Sequence, residues 1–395
     1  MKRFHVLILT AVLALGNVSA QSTVRDVVET ISRNNLSLQA LAAGQEAEYY
    51  ELKGKNALAG PSVEYSPFYQ DGISGVAESE LIVSEEFEFP TKYVARRHQL
   101  VRQSRLHQSQ YQSARRKLQL EAEQLCYEII HKNQSLQMLQ KRLEDSESLL
   151  QMFQKRMEAG DATILELNKV KLDRMDVLTT LSETQSERLR LLGQLQELNG
   201  GLPISLGDTL YPNQQFSFDL NAKLEEFLSS DYDIFSAEEE LKLLQHDLSA
   251  VRQEWLPNLT VGYRRNTEGR EALNGFMVGV SFPVLWPGSN VKAARKRQLS
   301  AELQLEEVRQ SVANAVRTTY MELEGLRGVI ASYDVPMMHQ TLALLAKALQ
   351  HGQITALEYY TEIDSIYEKL EAHLTLCSKA AKLEANLNLW RLNLE

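Results

Sequence analysis

Residues 143–170 read LEDSESLLQMFQKRMEAGDATILELNKV, a heptad-spaced helix signal interrupted once, at Gly160. Outward from it there is no proline between Pro90 and Pro203, and glycine occurs in that interval only at Gly160, Gly193, Gly200 and Gly201. Proline ends helices and glycine interrupts them, so the interval predicts two long helices, about 91–158 and 162–199, turning at Gly160. At 1.5 Å per residue the first is ~100 Å long, more than a globular domain can bury along itself. Its apolar residues form two rows: Ile129, Leu136, Leu143, Leu150 and Met157 in one, Leu118, Leu125, Leu139 and Phe153 in the other. Val170, Val177, Leu191 and Leu198 repeat the pattern on the return helix, with Thr184 in the gap. Two such rows are the seam of a coiled coil.

The break recurs. GDATILE at Gly160–Glu166 returns as GQITALE at Gly352–Glu358, with Gly, Thr, Leu and Glu at a constant offset of 192 (160 to 352, 163 to 355, 166 to 358). ARRHQL at Ala95–Leu100 returns as ARKRQL at Ala294–Leu299, each shortly after a Phe-Pro pair, Phe89-Pro90 and Phe282-Pro283. Pro61 and Pro257 each open an alternating run, with Val63 and Tyr65 in one and Leu259, Val261 and Tyr263 in the other. Four matches in the same order describe an internal duplication.

Each half therefore reads helix, strand, loop, strand, long helix, return helix, with strands at about 61–69, 76–89, 257–266 and 275–284. Phe276, Val278, Val280 and Phe282 alternate cleanly, and alternating segments of about ten residues suit an outer-membrane barrel. Four strands cannot close a barrel, and open edges do not survive in lipid, so several copies must contribute; three would supply twelve strands.

The N-terminus predicts an export signal over residues 1–20: Lys2 and Arg3, the apolar run Val6–Leu15, and the small-residue site Val18-Ser19-Ala20. Beyond it no apolar stretch is long enough for a spanning helix, which leaves a periplasmic, secreted or β-barrel protein. Formal net charge is −10, against the basic face a nucleic-acid binder needs. The chain carries no G-x-S-x-G, H-E-x-x-H or P-loop, so no catalytic residue and no cofactor is assigned. Met337, Met338 and His339 are soft ligands, but three adjacent helical residues point in different directions and make no metal site. Cys126 lies 34 residues before Gly160 and Cys377 lies 25 after Gly352, about 13 Å apart in height on level hairpins, so two free thiols are expected. Arg96-Arg97 and Arg295-Lys296-Arg297 suit the periplasmic rim of a bilayer, and Tyr65, Tyr69, Tyr93, Trp255, Tyr263 and Trp286 suit an interfacial aromatic girdle.

With the duplicated hairpins and strand pairs in place, the chain resembles the TolC-like outer membrane efflux proteins over nearly all of its length. The sharpest elements are Gly160-x-x-Thr163-x-x-Glu166 and Gly352-x-x-Thr355-x-x-Glu358, where the family more often carries Asp than Glu, and Val335-Pro336 ahead of the second tip. The resemblance implies a homotrimer. A twelve-stranded barrel would sit in outer-membrane lipid, continued into the periplasm by an α-helical barrel of antiparallel coiled-coil hairpins. It also implies a passive exit duct for drugs, metal ions or other small solutes, served by a periplasmic adaptor and an inner-membrane resistance–nodulation–division pump. The tips Gly160, Thr163, Gly352 and Thr355 would dock the adaptor, and Glu166 and Glu358 would act at the aperture. The expected division is a signal over 1–20, a first repeat over 21–222 (strand pair 61–89, helical hairpin 91–199, equatorial segment 201–222) and a second over 223–395 (strand pair 257–284, hairpin 289–395). The competing reading, of another class, is a periplasmic coiled-coil scaffold or adaptor without a barrel.

Overall fold

The computed structural model describes residues 23–212, 220–268, 271–282 and 288–391. The expected export signal lies outside these residues, as do Pro283, Trp286 and part of the expected equatorial segment. The described chain is mainly helical. Two helices, α1 (Val24–Asn34) and α2 (Leu36–Lys55), precede a β-hairpin, β1 (Ser62–Phe68) and β2 (Glu78–Glu88). Then come α3 (Pro90–Glu158) and α4 (Ile164–Leu198). The second half runs α5 (Leu220–Ser230), α6 (Tyr232–Val251), β3 (Asn258–Glu268), β4 (Glu271–Ser281), α7 (Gly288–Ala331), α8 (Val335–Gln350) and α9 (Ala356–Arg391).

The 69 residues of α3 form one helix because nothing inside it breaks one. Pro90 sits in its first turn, where the missing N–H costs nothing. Of the two predicted rows on α3, one is the real seam: Leu118, Leu139 and Phe153 are buried and Leu125 is half-buried, with Ser146 buried between the last two. The other row starts buried at Ile129, is half-buried through Leu136, Leu143 and Leu150, and ends exposed at Met157. The return row does as expected, with Val170, Val177 and Leu191 buried.

Apolar packing gathers in three patches along the helices. One joins α1, α3, α4 and α9 through Ile31, Ile129, Leu195 and Ala385. A second, near the hairpin ends, joins α3, α4, α8 and α9 through Phe153, Val170, Leu349 and Tyr360. The third joins α5, α7 and α9 through Phe227, Leu323 and Leu387. The segment after α4 is strapped across α3 by backbone acceptors: Asn133 Nδ2 donates to Asp208 O at 2.8 Å and Gln134 Nε2 to Thr209 O at 2.7 Å.

In the second half the ascending helix is broken where the sequence carries Val335-Pro336. Asp334 caps the new helix by accepting from Met337 N at 2.9 Å, and Pro336 takes a first-turn position. Strand β4 begins at Glu271, four residues before the expected start at 275. Gly275 lies inside it, opposite Arg264, because ladder hydrogen bonds need no side chain.

The four strands make one antiparallel sheet in the order β1-β2-β3-β4, with both outer edges unpaired among the described residues. Directly opposed residues share a face, so the register assigns the two surfaces. Val63, Val83, Tyr263 and Phe276 lie in one line, and Val261 with Val278 and Leu259 with Val280 in the next two, a mainly apolar face that Glu85 interrupts near the helical end and Arg265 and Asn274 interrupt towards the other. The other face carries Glu64, Glu80, Glu86, Arg264 and Asn266. The apolar face is bare: Phe276 is 94% and Val278 79% exposed. Arg96 pairs with Glu88 where β2 passes into α3, and Tyr93 Oη accepts from Glu88 N at 3.2 Å.

Among the described residues no helix is long and apolar enough to cross a membrane.

The two cysteines are free. Cys126 is buried, and burial, aided by Glu123 and Asp208, pushes its thiol up to about 12. Cys377 is half-buried, beside His373, and burial raises it too. A thiol held protonated and covered is a poor nucleophile. With native protein at neutral pH, a maleimide should therefore react slowly at Cys377 and at Cys126 only after denaturation. The intact mass should show no bridge. Rapid native labelling of Cys126 would contradict this packing.

Candidate functional site

The two hairpin ends are built alike. Helix α3 stops at Gly160, where φ is +82°, and α8 stops at Gly352, where φ is +67°. Both stops show the paired bonds of a Schellman cap. Asp161 N donates to Arg156 O at 2.7 Å and Gly160 N to Met157 O at 3.0 Å; Gln353 N donates to Ala348 O at 2.9 Å and Gly352 N to Leu349 O at 3.1 Å. Glycine is there because a left-handed residue closes the helix without Cβ strain.

Both restarts are capping boxes. Thr163 Oγ1 accepts from Glu166 N at 3.2 Å, while Glu166 Oε2 accepts from Thr163 N at 2.8 Å and from its hydroxyl at 2.9 Å. Thr355 and Glu358 repeat the arrangement with the same three distances. Thr163 and Thr355 are thus N-caps, and the two glutamates satisfy orphan first-turn donors. These bonds hold the carboxyls of Glu166 and Glu358 below the usual glutamate range, the backbone bond to the cap threonine contributing most.

Because the folded pKa is depressed, each box stabilises its helix start above the unfolded glutamate value, and that contribution is lost as pH falls through the lower folded value. Backbone amides of the first turns of α4 and α9 should therefore lose exchange protection, corrected for intrinsic rate, on acidification below about 4.5, the unperturbed glutamate value. Glu166→Gln and Glu358→Gln should flatten that dependence. Unchanged pH dependence in both variants would remove the carboxylates from the account.

Reading the spacing alone missed what sits beside the glutamates. Leu165 and Leu357, each five residues past its tip glycine, are exposed, as is Ile164. An apolar first-turn side chain thus faces water at both ends. The signal was present in the repeat, since Leu is one of the four matched residues.

Behind the tips a buried charge ties three helices together. Arg142 on α3 donates through Nη2 to Asp173 Oδ1 on α4 at 2.7 Å and to Asp364 Oδ1 on α9 at 2.5 Å. Ser146 Oγ adds a bond to Asp173 Oδ2 at 3.2 Å, and the Arg142 guanidinium lies 4.8 Å from the Tyr367 ring centre. Of the soft-ligand trio at the start of α8, Met338 is buried while Met337 is half-exposed. Among the described residues no group of three or more His, Cys, Asp or Glu side chains is placed to hold a metal ion.

Residues 224–387 match the family model described as outer membrane efflux protein. Over that stretch the chain is similar to the outer membrane efflux proteins. The fold extends the likeness to nearly the whole chain. The structure of CusC covers 94% of this chain and 92% of its own at a TM-score of 0.76 and 18% identity. VceC from Vibrio cholerae covers 93% and 95% at a TM-score of 0.75 and 14% identity. The open state of the Neisseria gonorrhoeae MtrE outer membrane channel covers 93% and 88% at a TM-score of 0.75 and 15% identity. No curated protein matches the sequence. At such identities the efflux-protein fold is shared while side chains are not, so the tips must be argued from this chain's own residues.

Proposed function

We propose that this efflux protein works as a homotrimeric exit duct of a tripartite system. A periplasmic adaptor and an inner-membrane resistance–nodulation–division pump would feed it drugs, metal ions or other small solutes. The observation that carries the assembly is the sheet: one face mainly apolar and bare, the other mainly polar, and two edges unpaired among the described residues. In lipid every backbone donor must be satisfied, so β1 of one copy pairs with β4 of the next until the sheet closes at twelve strands. The polar face then lines the lumen and the apolar face meets lipid. A periplasmic scaffold would have to leave Phe276 and Val278 in water.

The chain divides on this reading into a signal over 1–20 and two repeats, 21–222 and 223–395, and the matching caps at Gly160 and Gly352 support the duplication. The tips dock the adaptor through Leu165 and Leu357, held out by Gly160, Thr163, Gly352 and Thr355. Glu166 and Glu358 stand ionised at the aperture, where they favour cations over anions.

Fractionation tests the assembly. The mature protein should enter the outer membrane, require detergent for release and run at three times the chain mass by native mass measurement. A water-soluble monomer released without detergent would overturn it.

A further inference from the structure

We infer that His98 on α3 and His246 on α6 form a two-histidine clamp for one divalent transition-metal ion, copper(II) or nickel(II), which staples the two halves of the chain just beneath the sheet. Both residues lie in one chain, so the site stands or falls independently of the trimer reading above.

Helices α3 and α6 pack antiparallel. Gln99 Nε2 donates to Asp247 Oδ1 at 3.1 Å, Ser236 Oγ donates to Ser109 Oγ at 2.9 Å, and Ser113 bonds to Asp233 farther along. In that register His98 falls opposite His246. Their ring centres are 6.1 Å apart, with the planes 13° from parallel. His98 is exposed and His246 half-buried, so the rings can turn towards a shared ion without repacking a core.

Their nitrogens are uncommitted. Elsewhere histidines meet carboxylates: His107 Nε2 lies 3.1 Å from Glu48 Oε2, and His131 Nε2 lies 3.0 Å from Glu371 Oε1. Among the described residues neither His98 nor His246 has such a partner, and each ring's recorded contact is the other. Neutral imidazole is a ligand for copper, nickel and zinc, whereas calcium and magnesium take oxygen.

The spacing selects among the nitrogen-seeking ions. With metal–nitrogen bonds of ~2.0–2.1 Å, two imidazoles on one ion have ring centres about 5 Å apart at a tetrahedral angle and about 6.3 Å apart when trans. The observed 6.1 Å is close to trans. Trans nitrogens, with water in the remaining positions, suit square-planar or tetragonal copper(II) and nickel(II) better than tetrahedral zinc.

The position gives the ion a role. Helix α3 follows β2 and α6 precedes β3, the two strands that join the hairpins of the two halves. His98 lies eight residues past Pro90, and His246 five before Val251 (90 to 98, 246 to 251). Nearer the sheet the halves are tied by Lys92 Nζ, which donates to Asn258 Oδ1 at 3.4 Å, a long bond that an ion two turns below would reinforce.

The test uses the mature protein in detergent, purified without a polyhistidine tag and stripped with chelator, in a Cys126→Ala/Cys377→Ser background that removes both thiols. Copper(II) sulfate should bind at one ion per chain. Its electron paramagnetic resonance spectrum should show coupling to two imidazole nitrogens. His98→Gln and His246→Gln should each weaken binding about tenfold or more, as losing one arm of a chelate does, and each should erase the two-nitrogen pattern. His351→Gln, at another exposed histidine, should change neither. Amides of residues 243–250 should exchange several-fold more slowly with nickel(II) bound, and the two variants should abolish that slowing. Absence of saturable copper binding overturns the site, and so does a two-nitrogen spectrum that survives both single variants. Binding at these histidines with unchanged exchange in α6 overturns the staple.

Discussion

Cells carrying Gly160→Val together with Gly352→Val should lose export to the level of a strain lacking the protein, while trimer abundance in the outer membrane stays normal. Both glycines hold positive φ, and a left-handed residue with a side chain costs about 1–2 kcal/mol, more when it is β-branched. A Cβ at either position meets open space, so the penalty comes from the backbone and not from a clash. The Schellman turns would then re-form in another shape, tilting the first turns of α4 and α9 and moving Leu165 and Leu357 away from where an adaptor finds them. The four-stranded sheet and the upper coiled coil are distant and should not respond. Asparagine tolerates the left-handed region, so Gly160→Asn with Gly352→Asn should keep export largely intact. The readout is sensitivity of cells to exported compounds, with trimer measured in the same samples. Full resistance from the double valine variant at normal abundance would remove the tips from the working surface.

The second large effect is expected at Arg142. Its side chain is 16% exposed and that of Asp173 4%, so Arg142→Ala leaves a carboxylate buried without its charge partner. Breaking a buried pair by removing one member costs about 3–5 kcal/mol. The bond to Asp364 adds little, since that carboxylate is half exposed and screened. Asp364→Asn should therefore cost about 0–1 kcal/mol while Arg142→Ala costs several-fold more. Arg142→Met with Asp173→Leu should recover much of the loss, because an apolar pair of similar volume needs no desolvation. Exchange protection of amides near the tips in α4 and α9 is the measurement, since heating a detergent-held trimer is not reversible. Equal loss in the Asp364→Asn and Arg142→Ala variants would mean that the exposed pair, and not the buried one, holds the hairpins together.

Much of this architecture could be read from the chain because its signals are local. Gly160 and Gly352 announce left-handed turns, Thr163 and Thr355 with the glutamates three residues on announce capping boxes, and the absence of proline from 91 to 202 forces the long helices. Such features depend on neighbours within one or two turns. The Leu136–Leu143–Leu150–Met157 row was harder to judge, because spacing marks a face as apolar without saying whether this chain or another covers it. In the single chain that face stays half open.

The sequence by itself determined the helical hairpins, their caps, the two strand pairs and the 192-residue repeat, since short-range backbone sterics and periodicity decide all of these (160 to 352). Only the tertiary structure decided what meets across long separations. It joined β2 to β3, so that two distant hairpins share one sheet with one apolar face. It brought Arg142, Asp173 and Asp364 together from three helices, with the Arg142–Asp173 pair buried. It also left Leu165 and Leu357 bare at the tips while burying Leu167 two residues on. A side chain's burial and its charge partner depend on how elements separated by tens to hundreds of residues are packed. No local pattern encodes that.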